Sequence, residues 1–299
     1  MRAAERGFLL LTCDFGYPER KPLTVSQLRT LAARTEMADR RLEERELEVA
    51  DLLSLGYSSQ MAQRIVSLLS DGPLLEHYLR RGEKFSCRAI SRISQEYPLR
   101  LRKRLGLDAP GCLWTKGDIS LLEAPKISLV GSRALLEENQ IFAAEAGTQA
   151  AKQGYVLVSG NARGADRRAQ EACLQNGGKV ICVVADSLAE KPVEKNILYL
   201  SEDGFDHPFS AQRALSRNRV IHALSEKTLV AQSGLFTGGT WDGSTKNLQH
   251  GWSSLFCFDD GSPAAKALAQ MGATLIGHRE LGNLQALVSD YMNFLSKDE

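Results

Sequence analysis

From about Leu113 onward, short apolar runs typical of β-strands alternate with longer stretches that have helical spacing. This alternation constrains the fold strongly, because consecutive parallel strands need a crossover connection, and a helix usually provides it. The sequence therefore predicts an α/β fold, a doubly wound and mostly parallel sheet with helices on both faces. We expect strands near 127–131, 155–159, 179–185, 227–232, 254–259 and 273–276, and helices at 136–153, 165–176, 211–224, 243–250 and 263–271.

The N-terminal part of the chain has a different character. Apolar residues recur at helical spacing between Leu23 and Leu79, and glycine and proline residues interrupt the pattern. We predict a bundle of about four short helices there. The expected division is a small all-helical domain over residues 1–82 and a sheet domain over 83–299. Residues 280–299 have the spacing of one final amphipathic helix.

Composition argues against several classes of protein. With 43% hydrophobic residues, 24% charged residues and a net charge of +1, the chain has the composition of an ordinary globular protein. No apolar run reaches the ~20 residues of a membrane-spanning helix, and the N-terminus makes a poor signal peptide. We therefore expect a cytoplasmic protein without a membrane partner. Six cysteines without a C-x-x-C pair indicate neither a zinc site nor a disulfide scaffold, and we expect no metal and no cofactor.

Positive charge is concentrated between Arg80 and Arg104, where nine basic residues stand against two acidic ones. A basic cluster of this kind can attract nucleic acid. The alternative is an exposed, solvated face without a ligand, which is the commoner explanation of a charge run.

Three predicted strands end in turns of small residues. One strand leads into Gly131-Ser132-Arg133, a second into Ser159-Gly160-Asn161-Ala162-Arg163-Gly164, and a third into Gly234 and then Gly238-Gly239-Thr240. Because ligands bind beyond the carboxyl ends of the strands in an open parallel sheet, we expect these turns to meet at one edge. Amides at a helix start carry partial positive charge, so a phosphate is the expected ligand. The alternative is a tight strand-to-helix connection that binds nothing.

A second motif places Arg213, Arg217 and Arg219 in the first half of a predicted helix. Cations near a helix N-terminus oppose the helix dipole, and a bound polyanion would offset that cost. The alternative is ion pairing on the protein surface. The chain lacks G-x-G-x-x-G after the first of these strands, the phosphate-loop motif, H-E-x-x-H and G-x-S-x-G, which argues against several enzyme classes.

In their order and spacing, these motifs resemble the DNA-processing protein A (DprA/Smf) family. The resemblance covers roughly residues 97–277, and the helical N-terminal region is similar in type to the sterile-alpha-motif-like domain of that family. It implies an extended Rossmann-like domain that binds single-stranded DNA without being an enzyme, forms a homodimer, and passes the strand to a RecA-type recombinase during natural transformation or recombination. The residues that the resemblance assigns to DNA or phosphate binding are Gly131, Ser132, Arg133, Ser159, Gly160, Arg163, Gly164, Lys195, Asn196, Arg217, Asn218 and Arg219, with Asn218 holding the loop.

The sequence departs from the family pattern in three places. The segment between Asp186 and Arg217 is shorter than usual, residues 233–241 replace the S-G-[ST] turn of the family, and no C-terminal winged-helix domain fits after Gly277. We therefore expect a divergent member. One alternative is a phosphoribohydrolase-like enzyme that uses Gly238-Gly239-Thr240, with Asp242 as the nearby acid. A nucleotide-binding sensor with the helical bundle as its effector is another, and a role in phage defence stays open.

Overall fold

The computed structural model describes residues 1–17, 19–37 and 46–288. Within these residues the sheet has nine strands: β1 (Arg88–Ser91), β2 (Cys112–Gly117), β3 (Lys126–Val130), β4 (Val156–Ser159), β5 (Lys179–Val183), β6 (Ile197–Ser201), β7 (Lys227–Val230), β8 (Ser254–Phe258) and β9 (Thr274–Ile276). Their order across the sheet is β1-β2-β6-β5-β4-β3-β7-β8-β9. The β1–β2 and β2–β6 pairs are antiparallel, and every other pair is parallel. The predicted α/β class is confirmed.

The helices of the described chain are α1 (Ala3–Thr12), α2 (Val25–Glu36), α3 (Val49–Ser54), α4 (Ser59–Ser70), α5 (Gly72–Lys84), α6 (Leu99–Leu105), α7 (Glu137–Lys152), α8 (Ala165–Gln175), α9 (Ala211–Ser216), α10 (Asn218–Leu224), α11 (Gly238–His250) and α12 (Pro263–Gln270). Alternate residues of each strand point to opposite faces. Thus Leu129 packs in one core with α7 and α8, whereas Val130 packs in a second core with α6, α10 and α12. The sheet is therefore doubly wound.

The N-terminal helices form a third, smaller core. Leu52, Ala62 and Ile65 are buried there with residues from α2 and from the end of α1. Helix α5 connects this bundle to the sheet, because Tyr78 is 1% exposed and packs against Trp114 of β2. The predicted helices of this region are present, and α1 is an additional one. The expected boundary between residues 82 and 83 falls inside α5, and the division into two domains stays a prediction.

The structure adds to and corrects the predicted elements. All six predicted strands are present, but β1, β2 and β6 were not predicted. The helix expected over 211–224 is divided at Arg217 into α9 and α10. The final helix is wrong over 280–288, where a short 3-10 helix (Arg279–Asn283) is followed by turns, and residues 289–299 lie outside the described part. Leu281, Leu284 and Leu287 are buried against the sheet core, which favours the 3-10 helix and turns over a regular α-helix here. None of the helices described is long and apolar enough to cross a membrane.

The basic cluster between Arg80 and Arg104 is largely used within the fold. Ion pairs join Arg81 to Asp206 and Arg88 to Glu96, and a third joins Arg100 to Glu226. Backbone carbonyl groups accept hydrogen bonds from Arg92, Arg102 and Arg104. Because these guanidinium groups already have partners, the cluster gives little support to a nucleic-acid surface.

Candidate functional site

The glycine turns meet at the carboxyl edge of the sheet, as expected. Strands β4, β3 and β7 are neighbours, so the turns that follow them are adjacent. Between these turns and helices α9 to α11 lies a cleft of about 470 Å³. We call it the carboxyl-edge cleft. Its lining includes Gly131, Ser132, Arg133, Ala162, Asp166, Leu215, Arg217, Asn218, His222 and the first turn of α11.

The β3 and β4 turns are locked together by close packing. A Cβ atom on Gly131 would lie 2.4 Å from the Cβ of Ala165, so any larger residue would separate the two turns. Gly164 has a φ of +80°, and its own Cβ would lie 2.4 Å from the carbonyl oxygen of Ser132. The amide of Ala165 donates a 3.2 Å hydrogen bond to that same oxygen. Arg133 is therefore held on a firm backbone at the rim of the cleft.

The β4 turn already holds an anion that belongs to the protein. The carboxylate of Asp166 accepts hydrogen bonds from the amides of Gly160 and Ala162, at 3.0 and 3.1 Å. Burial raises the pKa of Asp166, while Arg217 and these two amides act in the opposite direction. These two amides are therefore not available to a phosphate, and the expectation that this turn binds one stays a prediction.

Two expected contact residues of the same turn are covered. Ser159 is fully buried, and its hydroxyl group accepts a hydrogen bond from Gln170. Gly160 lies beneath Arg217, and a Cβ at position 160 would come within 1.7 Å of the Arg217 guanidinium. Both residues thus lie behind that guanidinium, and their assignment to DNA or phosphate binding stays a prediction.

Arg217 is the guanidinium group best placed to meet an anion in the cleft. It is 8% exposed, its Nη1 donates to Asn218 Oδ1 at 3.3 Å, and its Nε has no hydrogen-bond partner. Burial lowers its pKa, and Asp166 acts in the opposite direction without forming an ion pair within 4 Å among the described residues. An unpartnered buried donor costs free energy unless a ligand satisfies it.

The other two arginines of this motif are used inside the fold. Arg219 forms a 2.7 Å ion pair with Glu202, whose side chain is nearly buried, and also donates to Ser216. Arg213 pairs with Asp203 at 2.9 Å and donates to the carbonyl oxygens of Ala185, His207 and Pro208. The buried carboxylate of Glu202 thus already compensates the charge of Arg219, and the phosphate contact expected of Arg219 stays a prediction. For these two residues the alternative of ion pairing holds.

The first turn of α11 contributes amides to the same cleft. The side chain of its N-cap residue, Thr237, makes no capping hydrogen bond to the helix, and the turn contains no acidic residue. The side-chain amide of Asn218 donates to the carbonyl oxygen of Gly239 at 3.0 Å, which fixes this turn beside Arg217. Uncapped amides at the start of a 13-residue helix attract anions.

His222 lies on the cleft lining and was missed from the sequence. It is 1% exposed, its Nδ1 is 3.3 Å from the Thr228 hydroxyl, and burial lowers its pKa to about 3. The imidazole is therefore neutral at physiological pH. It can donate or accept a hydrogen bond, but it adds no positive charge to the cleft. No local motif marks this residue, because Thr228 approaches it from a separate strand.

The remaining expected residues are distributed unequally. Ser132 lines the cleft, but its hydroxyl group donates to the carbonyl oxygen of Gln232 at 3.2 Å. Arg163 lies in a groove on the other side of Arg133. Lys195 and Asn196 precede β6 and lie at the amino edge of the sheet, where the Asn196 carbonyl oxygen accepts a hydrogen bond from the Val180 amide. The expectation that these two line the same pocket is wrong, since strand β6 separates them from it.

Two carboxylates that could take part in chemistry at the cleft, Asp166 and Asp242, both have partners. In the described residues no group of three or more His, Cys, Asp or Glu side chains could hold a metal ion. Asp242 forms an ion pair with Lys246 at 2.9 Å, one turn along α11. Asp166 is occupied by backbone amides.

Comparison with known proteins identifies the family. The family model for DNA recombination-mediator protein A matches residues 88–278, which is more than half of the chain. DNA processing protein DprA of Streptococcus pneumoniae is 36% identical over 141 residues, 44% of this chain and 50% of that protein. Protein Smf of Escherichia coli is 29% identical over 203 residues, 64% of this chain and 53% of that protein. The chain thus spans about half the length of these relatives.

Solved structures agree in fold. The S. pneumoniae protein superposes with a TM-score of 0.69 at 24% identity, covering 92% of this chain and 95% of that one. DNA processing protein A of Helicobacter pylori, whose structure concerns its single-stranded DNA binding mode, gives a TM-score of 0.56 at 24% identity over 72% of this chain and 97% of that one. Because the family model matches residues 88–278, well over half of the chain, the chain belongs to the DNA recombination-mediator protein A family.

Proposed function

We propose that this protein binds single-stranded DNA in the carboxyl-edge cleft and acts by holding the strand, without hydrolysing it. The observation that carries the proposal is the Arg217 guanidinium, which is buried, unpartnered at Nε and directed into a cleft shared with the α11 amides. Arg133, exposed at the rim, adds a second positive charge. Family membership and the DNA binding of the H. pylori relative agree with this choice of ligand.

The chemistry predicts recognition of the backbone more than of base sequence. Guanidinium groups and helix-start amides bind phosphate oxygens, which every strand presents alike. The apolar wall formed by Ala214 and Leu215 offers a surface on which a base can rest. Binding should therefore depend steeply on salt and only weakly on sequence.

The test compares single-stranded DNA, duplex DNA and mononucleotides by fluorescence anisotropy over a range of salt. We expect the single strand to bind most tightly, with a log–log salt slope near −3 if about four phosphates are neutralised. Tighter binding of a mononucleotide than of the strand would instead identify a nucleotide sensor. Release of free base from a nucleotide would identify an enzyme, and either result would overturn the proposal.

Four finer statements rest on family membership and belong to the same proposal. The protein works in the cytoplasm, forms a homodimer, protects single strands during transformation or recombination, and assists a RecA-type recombinase in loading onto them. Cell fractionation tests the location, and light scattering tests the dimer. Nuclease protection and recombinase filament growth, each with and without the protein, test the two roles on DNA. A purely monomeric protein with no effect on filament growth would reduce the proposal to strand binding alone.

A further inference from the structure

A second basic cavity lies beside the carboxyl-edge cleft. It has a volume of about 430 Å³ and is lined by Arg133, Arg163, Arg167, Arg168, Gln140 and Glu171, among others. We call it the arginine groove. Arg133 lines both cavities, so a chain-like ligand can pass over this one side chain from the cleft into the groove.

The charges in the groove are unbalanced. Arg163, Arg167 and Arg168 are all exposed, and among the described residues none has a carboxylate within 4 Å. Arg168 donates to Gln140 at 3.1 Å, a neutral partner. Glu171 is the acidic residue of the lining, so four arginines stand against one glutamate. This contrasts with Arg213 and Arg219, which both have carboxylate partners.

Helix stability does not explain the position of these arginines. Arg167 and Arg168 lie in the first turn of α8, where positive charge opposes the helix dipole. Asp166, the acidic residue of that turn, is turned inward onto the amides of Gly160 and Ala162. The outward surface of the turn is therefore positively charged, and a bound polyanion would offset the unfavourable placement.

The groove and the cleft are joined by backbone contacts. The Ala165 amide donates to the Ser132 carbonyl oxygen at 3.2 Å, and Gly164 packs against the backbone of Arg133. The helix that presents the groove arginines is thus fixed to the turn that forms the rim of the cleft. Two fixed cavities with one shared arginine suit a strand whose successive phosphates are engaged one after another.

We propose that the arginine groove is an extension of the strand site: DNA held in the cleft continues past Arg133, and its next phosphates bind Arg163, Arg167 and Arg168. This proposal rests on the proposed function and assigns a binding role to Arg167 and Arg168. It determines the direction in which the bound strand leaves the cleft, along the N-terminal turn of α8.

The experiment compares the full chain with the Arg167→Ala/Arg168→Ala variant. A matched control, Arg29→Ala/Arg80→Ala, removes the same charge from exposed helical positions of the N-terminal region. Labelled oligothymidylates of roughly 4 to 16 nucleotides, the usual range of single-strand site sizes, are titrated at several salt concentrations. Thermal unfolding of each variant checks that the fold is intact.

We expect the unmodified chain and the control to gain affinity with length until the strand fills both cavities. The groove variant should bind the shortest strands normally, bind the longest roughly tenfold more weakly, and lose about 1.4 from the salt slope for two phosphates. Equal affinities of the groove variant and the control at every length would overturn the groove proposal and leave the cleft proposal standing. An equal loss at all lengths would also overturn it. Failure of the unmodified chain to bind any strand would overturn both.

Discussion

Two regions of the molecule differ in whether their charged side chains have partners. One is the contact between α5 and the sheet, and the other is the carboxyl-edge cleft. In the first region, Asp206 accepts from the Tyr78 hydroxyl at 2.7 Å and pairs with Arg81 at 2.7 Å, while His207 lies 3.5 Å from Asp14. Each of these charged groups has an opposite partner. In the cleft, Arg217 is more deeply buried than these groups but has no carboxylate within 4 Å in the described chain.

We infer from this difference that the paired charges of the α5 contact stabilise the fold, whereas the unpaired charge of Arg217 is available to the proposed ligand. Removing one partner of an enclosed pair leaves the other uncompensated and destabilises the protein. Removing a guanidinium that has no such partner should affect binding more than folding. Three predictions test this distinction.

The largest effect is expected in the contact between α5 and the sheet. Tyr78→Ala removes a ring that packs against Phe15, Trp114 and Phe205, and should lower the free energy of unfolding by roughly 3–5 kcal/mol. Urea denaturation measures it. Tyr78→Phe, which keeps the ring and loses the bond to Asp206, should cost only about 1 kcal/mol. A similar loss in both variants would show that the hydrogen bond, and not the packing, dominates.

Two arginines of one motif should then behave differently. Arg213→Met loses an ion pair and three bonds to carbonyl oxygens, so we expect an unfolding free energy lower by roughly 2–3 kcal/mol. Arg217→Met replaces a buried guanidinium, whose Nη1 donates to Asn218 but whose Nε has no hydrogen-bond partner, with an apolar chain of similar length. It should leave the unfolding free energy within about 1 kcal/mol and weaken binding of single strands about 10- to 100-fold.

Denaturation and anisotropy on the same preparations measure both quantities. If Arg217→Met unfolds as readily as Arg213→Met and binds DNA normally, the distinction between the two arginines is lost. Arg133→Ala, at an exposed position, is a companion variant whose folding should be unaffected.

The smallest effect is a pH dependence of the α5 contact region. The contact with Asp14 raises the pKa of His207 above its usual 6.5, burial opposes this, and Arg213 and Asp206 act in opposite directions. Burial acts to raise the pKa of Asp14, but His207, the Gly16 amide and Arg20 lower it on balance. Since the folded protein favours the charged imidazole, this contribution to stability is complete below pH 6.5 and is lost as pH rises through the raised pKa.

We therefore expect the unfolding free energy of the unmodified chain to fall over that window more than that of Asp14→Asn. Denaturation at a series of pH values measures it. An unchanged slope in Asp14→Asn would mean that another group titrates there.

The sequence indicated the sheet because its parallel strands are continuous apolar runs followed by glycine turns. It did not indicate β1, because this strand has only four residues and lies inside a basic stretch. Nor did it indicate β6, because this short apolar run has no helix before it. The carboxyl-edge position of Arg133 and Arg217 followed from topology. The pairing of Arg219 with Glu202 did not, because the partner lies on the turn after another strand. Asp166 lies only four to six residues from the amides that it binds, but its inward orientation was not recognised because the sequence does not show which way a side chain at a helix start points.

The contact between Gly160 and Arg217 restricts how the protein can diversify. The guanidinium lies where even a methyl group at position 160 would have to be, so residue 160 cannot become larger while Arg217 keeps this position. Among descendants of this chain, we expect glycine at 160 to persist wherever arginine persists at 217, and a bulkier residue to arise only after that arginine has gone. Such linked loss would mark lineages that have given up this mode of capturing a ligand.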